Sequence, residues 1–342
     1  MNSELIIYGA YGHTGKFIVS RLHEQGYSPI LSGRNKEKLA ALNQQFPHLK
    51  AVEADINDPG SLDNAFAQAH TIVNCAGPYL DTSKPILESA LRLGANYLDL
   101  SAEQKSVLDI FDQFSDQADK ANVIVLPAVA FYGGLGDLLS THLTSGWNDI
   151  DTIDIYVGLN SWYPTKGTRL TGERNHHQRL VFADGKLVPL VPSQPTTREF
   201  AKPIGEQKVI CVPLTEIITV SRHLNVQNIN TFISLNSIED IRDANTPEPT
   251  PIDEKRRSSQ QFCMEVVARK GNTTRKITAQ GQDIYAVTAP LVVEAVNRIK
   301  AGAAQTKGVS TIGEIFNASE FLKSLDPDDI SVSGITEIVN QS

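Results

Sequence analysis

The hydrophobic and polar positions of the first 130 residues alternate between short apolar runs and amphipathic stretches of helical period. Strands are predicted at residues 5–8, 29–32, 50–53, 71–74, 97–100 and 123–126. Helices are predicted between them at 14–24, 36–45, 62–68, 84–93 and 105–121. This alternation predicts an α/β fold, a Rossmann doubly wound parallel sheet with helices on both faces and the strand order 3-2-1-4-5-6.

The pattern changes beyond residue 137. A short helix to about residue 143 precedes β-rich segments, a Pro-rich loop at 246–251 and a last amphipathic helix at 289–299. The β-rich segments are 152–159, 207–213, 230–237, 264–268 and 275–279. We therefore expect a second α+β domain built on a mostly antiparallel sheet. The predicted division is a dinucleotide-binding Rossmann domain at 1–136, joined by C-terminal helices at 283–342, and a substrate and dimerisation domain at 137–282.

Three glycines follow the first apolar run at a spacing that indicates dinucleotide binding. Gly9 permits a tight turn, Gly12 permits close approach of backbone N–H groups to a pyrophosphate, and Gly15 permits close packing of the next helix. The start of that helix supplies partial positive charge to phosphates. The predicted cofactor contacts here are Gly9, Tyr11, Gly12, His13, Thr14 and Gly15.

Composition narrows the class of protein. The chain has 342 residues, 41% apolar content and a net charge of −8, with a pI near 5.5. An acidic protein is not attracted to nucleic acid or to anionic membranes, so neither is an expected partner. There is no basic and apolar leader at the start and no apolar run of about 18 residues, so we expect a cytoplasmic protein without a membrane span.

The cysteines favour neither a disulfide framework nor a metal. Cys75, Cys211 and Cys263 are odd in number and far apart, which indicates reduced, buried thiols. The histidine pair at 176 and 177 lacks a matching ligand cluster. No metal site is predicted.

The end of the second strand predicts the cofactor. An NAD site usually has an acid there, whereas this chain has Ser32, Gly33 and Arg34. Arg34 can pair with a ribose phosphate, so NADP is predicted over NAD, and an exposed arginine at a helix start is the alternative. Asp55 is a weaker candidate for the adenine amino group, with capping of the next helix as an equal alternative. Ala76 and Gly77 are predicted to contact the cofactor through their backbone.

Candidate catalytic groups follow strands four to six, where the nicotinamide would lie. Tyr79, Glu103 and Tyr132 are the predicted catalytic residues, and Asp99 lies in the same region. The alternative for Glu103 is a carboxylate that complements a helix dipole. For Tyr79 it is an aromatic wall against the cofactor.

A basic stretch at 166–179 stands out in this acidic chain. Arg169 or Arg174 could clamp a carboxylate or phosphate of a substrate, and His176 or His177 could move a proton. Arg169, Arg174 and His176 are therefore the predicted substrate contacts. The alternative is a solvated loop or strand face.

Several segments together give a family resemblance. Residues 9–15, 32–34, 73–79 and 97–103 resemble the saccharopine dehydrogenase-like NAD(P)-binding oxidoreductases, which include trans-acting enoyl reductases. The resemblance is specific over residues 4–140 and only suggestive at 166–168, 281–289 and 308–311. Where relatives often carry Gly-Phe-Asp-x-x-Pro-x-Asp, this chain matches only at Phe131 and Asp137, so neither saccharopine nor a lipid enoyl group is assigned as substrate.

The resulting hypothesis is an NADP-dependent oxidoreductase that transfers a hydride between NADP(H) and a small or carrier-linked carbonyl, imine or enoyl substrate. The alternatives are a non-catalytic NADP-binding redox sensor and an assembly protein that keeps the site as a relic. A Tyr-x-x-x-Lys pair after the fifth or sixth strand, a Gly-x-Ser-x-Gly elbow and a Walker loop are all missing from the sequence. A homodimer is expected from the β-rich second domain.

Overall fold

Seven parallel strands form the first sheet of the computed structural model, which describes residues 4–339. In chain order they are β1 (Glu4–Tyr8), β2 (Ile30–Gly33), β3 (Ala51–Glu53), β4 (Ala69–Asn74), β5 (Asn96–Asp99), β6 (Ile124–Leu126) and β15 (Gly308–Val309). Their spatial order is β3-β2-β1-β4-β5-β6-β15. The predicted order 3-2-1-4-5-6 is confirmed, and a seventh strand extends it.

Helices cover both faces of this sheet because each strand crosses to the next through a helix. These helices are α1 (His13–Glu24), α2 (Lys36–Gln45), α3 (Pro59–Phe66), α4 (Tyr79–Leu93), α5 (Gln104–Ala121) and α6 (Gly136–Leu143). Caps explain two of their starts: the side chain of Asn35 accepts from Lys38 N, and that of Asp58 accepts from Gly60 N and Ser61 N. The buried faces of β1 form two cores, one on each side of the sheet.

The second sheet is mostly antiparallel, as predicted, with one parallel pair. Its strands are β7 (Ile150–Leu159), β8 (Leu180–Ala183), β9 (Lys186–Pro189), β10 (Thr196–Glu199), β11 (Glu206–Cys211), β12 (Val226–Ser234), β13 (Gln261–Lys270), β14 (Thr273–Gln282), β16 (Ile330–Val332) and β17 (Thr336–Val339). The parallel pair is β7 with β12. The chain between these two strands forms other helices and strands before it returns to pair with β7. The central path runs β10-β11-β12-β7-β13-β14-β16, with β17 paired to β14 and β8 paired to β12.

The remaining helices are α7 (Lys166–Arg174), α8 (Glu216–His223), α9 (Leu235–Arg242), α10 (Thr288–Lys300), α11 (Ile312–Ile315) and α12 (Ala318–Ser324). Two of them differ from the sequence predictions. The start of the basic segment, where no helix is predicted and a solvated loop or strand face is the alternative to a substrate site, is helix α7, which begins at the Thr165 cap, where the side chain accepts from Thr168 N. The strand expected at 230–237 ends at Ser234, because residues from Leu235 onward form α9.

The C-terminal segment returns to the first sheet and then leaves it. Helix α10 packs on α1, where Tyr27 donates a 2.6 Å hydrogen bond to Asn297, and β15 pairs with β6. Strands β16 and β17 instead pair with β14 in the second sheet. The domain boundaries at residues 136 and 282 stay a prediction. The outer ends of the predicted domains, at residues 1–3 and 340–342, lie outside the described residues.

Asp137 links the two halves of the molecule. Its buried carboxylate lies 2.7 Å from His223 Nε2 on α8 and accepts a 2.9 Å hydrogen bond from Gly313 N on α11. Burial lowers the pKa of His223, but the Asp137 carboxylate outweighs it and the net pKa is raised. This residue, one of the two that match the relatives after β6, therefore holds α6 against two other helices.

Among residues 4–339, the helices are all too short or too polar to cross a bilayer.

Candidate functional site

The turn after β1 has a backbone that requires glycine. Gly9 has φ +79°, and a Cβ there would lie 2.9 Å from both Cβ and N of Ala76 on the neighbouring strand end. A Cβ at Gly15 would lie 2.5 Å from the Gly9 carbonyl oxygen. Gly12 N donates to that same oxygen at 2.8 Å. The three glycines therefore form one close-packed turn that leads into α1, which is the geometry expected of a pyrophosphate cradle.

The start of α1 is favourable to an anion. Gly12 is its N-cap without a side-chain cap, and its first turn contains no acidic residue. His13, half-buried, packs edge-on against Phe17 and Tyr285 with ring centroids 5.3 Å apart in both pairs. Its Nε2 has no hydrogen-bond partner among the described residues, and burial lowers its pKa. His13 is therefore a neutral donor or acceptor at the edge of the turn, while no side-chain hydrogen bond is assigned to Thr14 in the described chain.

The end of β2 combines a buried serine with an exposed cation. The Ser32 carbonyl accepts from Gly9 N and Ala10 N at 2.8 and 3.2 Å, and its buried hydroxyl has no partner among residues 4–339. The Tyr11 ring covers Gly33, where a Cβ would lie 2.7 Å from Cε1, and its hydroxyl accepts from Asn35 N at 3.1 Å. Arg34 is exposed, and within the described chain its guanidinium has no hydrogen bond or ion pair.

Asp55 does not cap the following helix. Its Oδ1 accepts from the backbone N and the side-chain Nδ2 of Asn57, both at 3.0 Å. Asp58, three residues on, is the cap of α3. The capping alternative for Asp55 is therefore wrong, and adenine recognition stays a prediction.

The end of β4 is held by side chains from within the fold. Asn74 Oδ1 accepts from Ala76 N at 3.0 Å, and Thr82 Oγ1 donates to the Ala76 carbonyl at 2.5 Å. The Ala76 backbone groups are thus already paired, whereas Gly77 is exposed. A Cβ at Gly77 would lie 3.4 Å from Thr171 Oγ1, so α7 of the second domain lies beside this edge of the first sheet and leaves Gly77 exposed.

Two carboxylates at the end of β5 serve the backbone. Asp99 is fully buried and accepts from four donors: Ser101 N, Ala128 N, Tyr97 Oη and Ser83 Oγ. Glu103, only 1% exposed, accepts from Tyr79 N at 2.7 Å and Leu80 N at 3.3 Å, which caps the start of α4. Burial raises the pKa of both groups despite these bonds. Glu103 therefore complements a helix dipole, as its alternative role predicts, and the helix concerned is α4. Its catalytic role stays a prediction.

The two candidate tyrosines differ in surroundings. Tyr79, half-buried beside Gly77, has a hydroxyl without a hydrogen bond in the described chain, and burial followed by its acidic neighbours raises its pKa. Tyr132 stacks on Trp162 at 5.3 Å, and its buried hydroxyl has no partner among the described residues. Both phenols therefore stay protonated, but Tyr79 is the one at the exposed sheet edge.

Some basic side chains of the segment at 166–179 bind other protein groups, and others do not. Arg169 donates to three backbone carbonyls, of Ile241, Asp243 and Thr246, at 3.3, 3.1 and 2.7 Å. Arg174 forms a 2.9 Å ion pair with Asp81 of α4. His176 is exposed. Two of the three predicted substrate contacts are thus engaged in holding α7, and their role toward a substrate gains no support from these contacts.

The sequence reasoning missed two buried polar residues, Gln104 and Glu216. Gln104, next to Glu103, joins the two domains. The Gln104 side chain accepts from Leu180 N at 2.9 Å and donates to the carbonyls of Leu180 and Leu214. Glu216 at the start of α8 is fully buried, and burial raises its pKa to about 7. Neither carboxylate oxygen of Glu216 has a hydrogen bond of good geometry within residues 4–339. No periodicity or motif marks either residue.

The three thiols are free, as expected, although only Cys263 is fully buried. Burial raises the pKa of Cys263 to about 12 and that of Cys211 to about 11, so both stay protonated. Cys75 lies next to the glycine turn, and burial raises its pKa as well. These thiols are not activated nucleophiles.

Comparison with known proteins agrees with this geometry. Residues 5–126 match the family model described as the saccharopine dehydrogenase NADP binding domain. A saccharopine dehydrogenase-like oxidoreductase of Bos taurus is 27% identical over 145 residues, which cover 37% of this chain and 34% of the relative. A trans-acting enoyl reductase of Mycobacterium ulcerans is 26% identical over 146 residues, covering 41% and 35%. The matched segments span about a third of the length of these relatives.

The structural similarity covers more of this chain than the sequence similarity does. Apo saccharopine dehydrogenase (L-Glu forming) of Saccharomyces cerevisiae superposes with a TM-score of 0.66 at 12% identity, covering 99% of this chain and 100% of that one. The resemblance to saccharopine dehydrogenase-like proteins is therefore confirmed in the first domain by sequence and in both domains by fold.

Proposed function

We propose that this protein is an NADP-dependent oxidoreductase that transfers a hydride between NADP(H) and a small or carrier-linked carbonyl, imine or enoyl substrate. The single observation that carries the proposal is the glycine turn, in which a Cβ at Gly9 would lie 2.9 Å from Ala76 and one at Gly15 would lie 2.5 Å from the Gly9 oxygen. Such a turn brings backbone close to the place where a pyrophosphate binds in dinucleotide sites. The names of the similar proteins support the same reaction class.

The residues fit the cofactor at three places. The Gly9–Gly12 backbone and the start of α1 would hold the pyrophosphate. Arg34, exposed and unpaired among residues 4–339, would hold the ribose phosphate that distinguishes NADP from NAD. The exposed Gly77 edge would take the nicotinamide end. When bound, the nicotinamide ring supplies or accepts the hydride.

Tyr79 is the proton donor in this proposal. Its hydroxyl is free of protein hydrogen bonds within the described residues and stays protonated near neutral pH, because burial and nearby acidic groups raise its pKa. Glu103 fixes the Tyr79 backbone through the 2.7 Å bond from Tyr79 N, so it positions the ring. A phenol held at the edge where a substrate would enter can donate a proton to a developing alkoxide or enolate, or to the amine nitrogen that forms from an imine.

One observation favours the second candidate, a redox sensor that binds NADP without turnover. Both carboxylates near the nicotinamide end are committed to backbone N–H groups, which leaves Tyr79 as the proton donor of the proposal. A sensor needs no proton donor. The two functions differ in the behaviour of Tyr79 variants.

Calorimetric titration with NADPH and NADH tests the cofactor. Wild type is expected to prefer NADPH, and Arg34→Gln to lose about ten- to a hundredfold in NADPH affinity with little change for NADH, since a hydrogen bond to a charged group contributes about 1.5–3 kcal/mol. Equal loss for both dinucleotides would show that Arg34 supports the turn instead of reading the phosphate.

A screen of carbonyl, imine and enoyl compounds with NADPH then tests turnover. Tyr79→Phe is expected to lower kcat by about 10²–10⁴-fold, the usual contribution of general acid catalysis, while NADPH affinity stays unchanged. Wild type that binds NADPH but oxidises it with none of these compounds would favour the sensor.

A cytoplasmic location and a homodimer remain proposals, to be tested by localisation of the tagged chain and by its sedimentation.

A further inference from the structure

A cleft of about 230 Å³ lies beside Glu103, between the first turn of α5 and the segment that follows α7. Ala102 and Gln104, the two neighbours of Glu103, line one wall. Residues from Asn175 to Leu180 contribute to the other. The cleft is thus built where the two domains meet.

The cleft is lined by cations and no acids. Lys105, His177 and Arg179 contribute to its walls, and no Asp or Glu side chain does so among the described residues. This is notable in a chain with net charge −8. Lys105 pairs with Asp109 one turn along α5, so its charge is partly compensated. Arg179 carries the remaining positive charge, and the His177 imidazole lines the cleft with it.

Arg179 is a guanidinium without an acidic partner in contact. Its Nη1 donates to the Pro213 carbonyl at 3.1 Å, and within residues 4–339 no carboxylate oxygen lies within 4 Å of it. Burial and the neighbouring Arg242 both lower its pKa, which the Glu216 carboxyl offsets only in part. A planar fork with most of its five donors unused is suited to a carboxylate or phosphate.

The wall that carries Arg179 is hydrogen-bonded to the first residue of α5 and is continuous in the chain with the helix beside Gly77. Gln104 fixes both backbone groups of Leu180, the residue after Arg179. Helix α7, which precedes this segment, packs Thr171 against Gly77 and pairs Arg174 with Asp81. The same stretch of chain therefore lies beside Gly77 and contributes Arg179 to the cleft.

We infer that this cleft binds the anionic group of the substrate, a carboxylate or a phosphate, through Arg179 with His177 beside it. This rests on the proposed function and narrows it: the substrate carries an anion on the side of its reacting carbon that faces α5. Arg169 and Arg174, in the same basic stretch, serve the fold, and Arg179 is the specificity-determining residue.

Calorimetric binding of succinate and of inorganic phosphate, each with and without saturating NADPH, tests the inference. We expect saturable binding of at least one anion in the NADPH-loaded protein, and the anion that binds more tightly identifies the class. Arg179→Gln is expected to weaken it at least tenfold, and Arg179→Lys to weaken it less. NADPH affinity should not change in either variant. Arg256→Gln, an exposed arginine without a side-chain partner in the described chain, is the matched control.

The outcomes separate the two proposals. Equal anion affinity in wild type and Arg179→Gln, or no saturable anion binding, overturns the inference while NADPH binding can still stand. Loss of NADPH affinity in Arg179→Gln also overturns it, because Arg179 would then belong to the cofactor site. If wild type binds no dinucleotide, the oxidoreductase proposal fails. The anion titrations without NADPH then still show whether Arg179 binds anions. Thermal melting of each variant confirms that it is folded.

Discussion

The glycine turn and the basic segment of the second domain both bear on anion binding, yet they differ in what builds them. The turn uses backbone: Gly9, Gly12 and Gly15 pack against one another and against Ala76. The basic segment uses long side chains, and the structure commits Arg169 and Arg174 to the fold while Arg179 faces a cleft. A backbone site is specified by the residues that compose it, whereas a side-chain site depends on which partners lie within reach.

The largest expected effect breaks the turn. Gly9→Ala places a Cβ 2.9 Å from Ala76 at φ +79° and should cost about 2–5 kcal/mol of unfolding free energy, from strain of the left-handed backbone and from overpacking. NADPH affinity should fall at least tenfold. Urea unfolding and calorimetry measure the two effects.

Gly26→Ala is the matched control for that substitution. Gly26 has the same φ of +79°, but no atom lies within 4 Å of its added Cβ. It should lose only the backbone contribution, about 1–2 kcal/mol, and keep its NADPH affinity. Equal losses in the two variants would mean that backbone strain, and not close packing on Ala76, makes glycine necessary.

The second-largest expected effect is the pH dependence of stability that Glu216 causes, the buried acid near Arg179. Burial raises the pKa of Glu216 from 4.5 to about 7, so between these values the folded chain binds more protons than the unfolded chain. Stability conferred by the protonated group is therefore present below pH 4.5 and is lost as the pH rises to about 7. The loss amounts to roughly 3 kcal/mol, at 1.36 kcal/mol for each pKa unit.

Glu216→Gln should remove that loss. Relative to wild type, the variant is expected to gain up to about 3 kcal/mol of unfolding free energy between pH 5 and pH 8. Denaturant unfolding at several pH values measures this gain, with the exposed Glu199→Gln as control. A difference between variant and wild type that does not change with pH would show that Glu216 titrates as an ordinary carboxyl.

The smallest effects compare the two arginines of α7. Arg169→Ala removes three bonds to backbone carbonyls and should cost about 1.5–3 kcal/mol. Arg174→Ala removes a half-exposed ion pair with Asp81 and should cost less than about 1 kcal/mol. Urea midpoints measure both, and the reverse ranking would show that the ion pair with Asp81, and not the three bonds of Arg169 to backbone carbonyls, is the stronger contact that holds α7.

Much of the first domain could be predicted from the sequence. The six strands, their order and α2 at residues 36–45 follow from apolar runs and helical spacing, which are local properties. The second domain was less predictable: no helix was predicted at α7, because it has no fully buried residue and thus no apolar face to detect. The parallel pairing of β7 with β12 depends on chain crossing, which periodicity does not report.

Site residues show the same division. The positions of Gly9, Ser32, Arg34 and Gly77 at one sheet edge follow from the parallel order, since all strand carboxyl ends meet there. The cap of α3 at Asp58 is local, because Pro59 follows it and its side chain accepts from Gly60 N and Ser61 N, so the sequence does contain a signal for it. The sequence could not reveal that Glu103 caps α4 or that Gln104 joins the domains. Each of these depends on a partner chosen by packing.

The sequence by itself determined the dinucleotide turn and the sheet that carries it, because a positive φ and close backbone contacts admit only glycine and because the alternation of strand and helix permits one chain path. Only the tertiary structure decided which charged side chains remain free. Arg169, Arg174 and Arg179 are alike in sequence, and they differ because three carbonyls, one carboxylate and an acid-free cleft happen to lie within their reach.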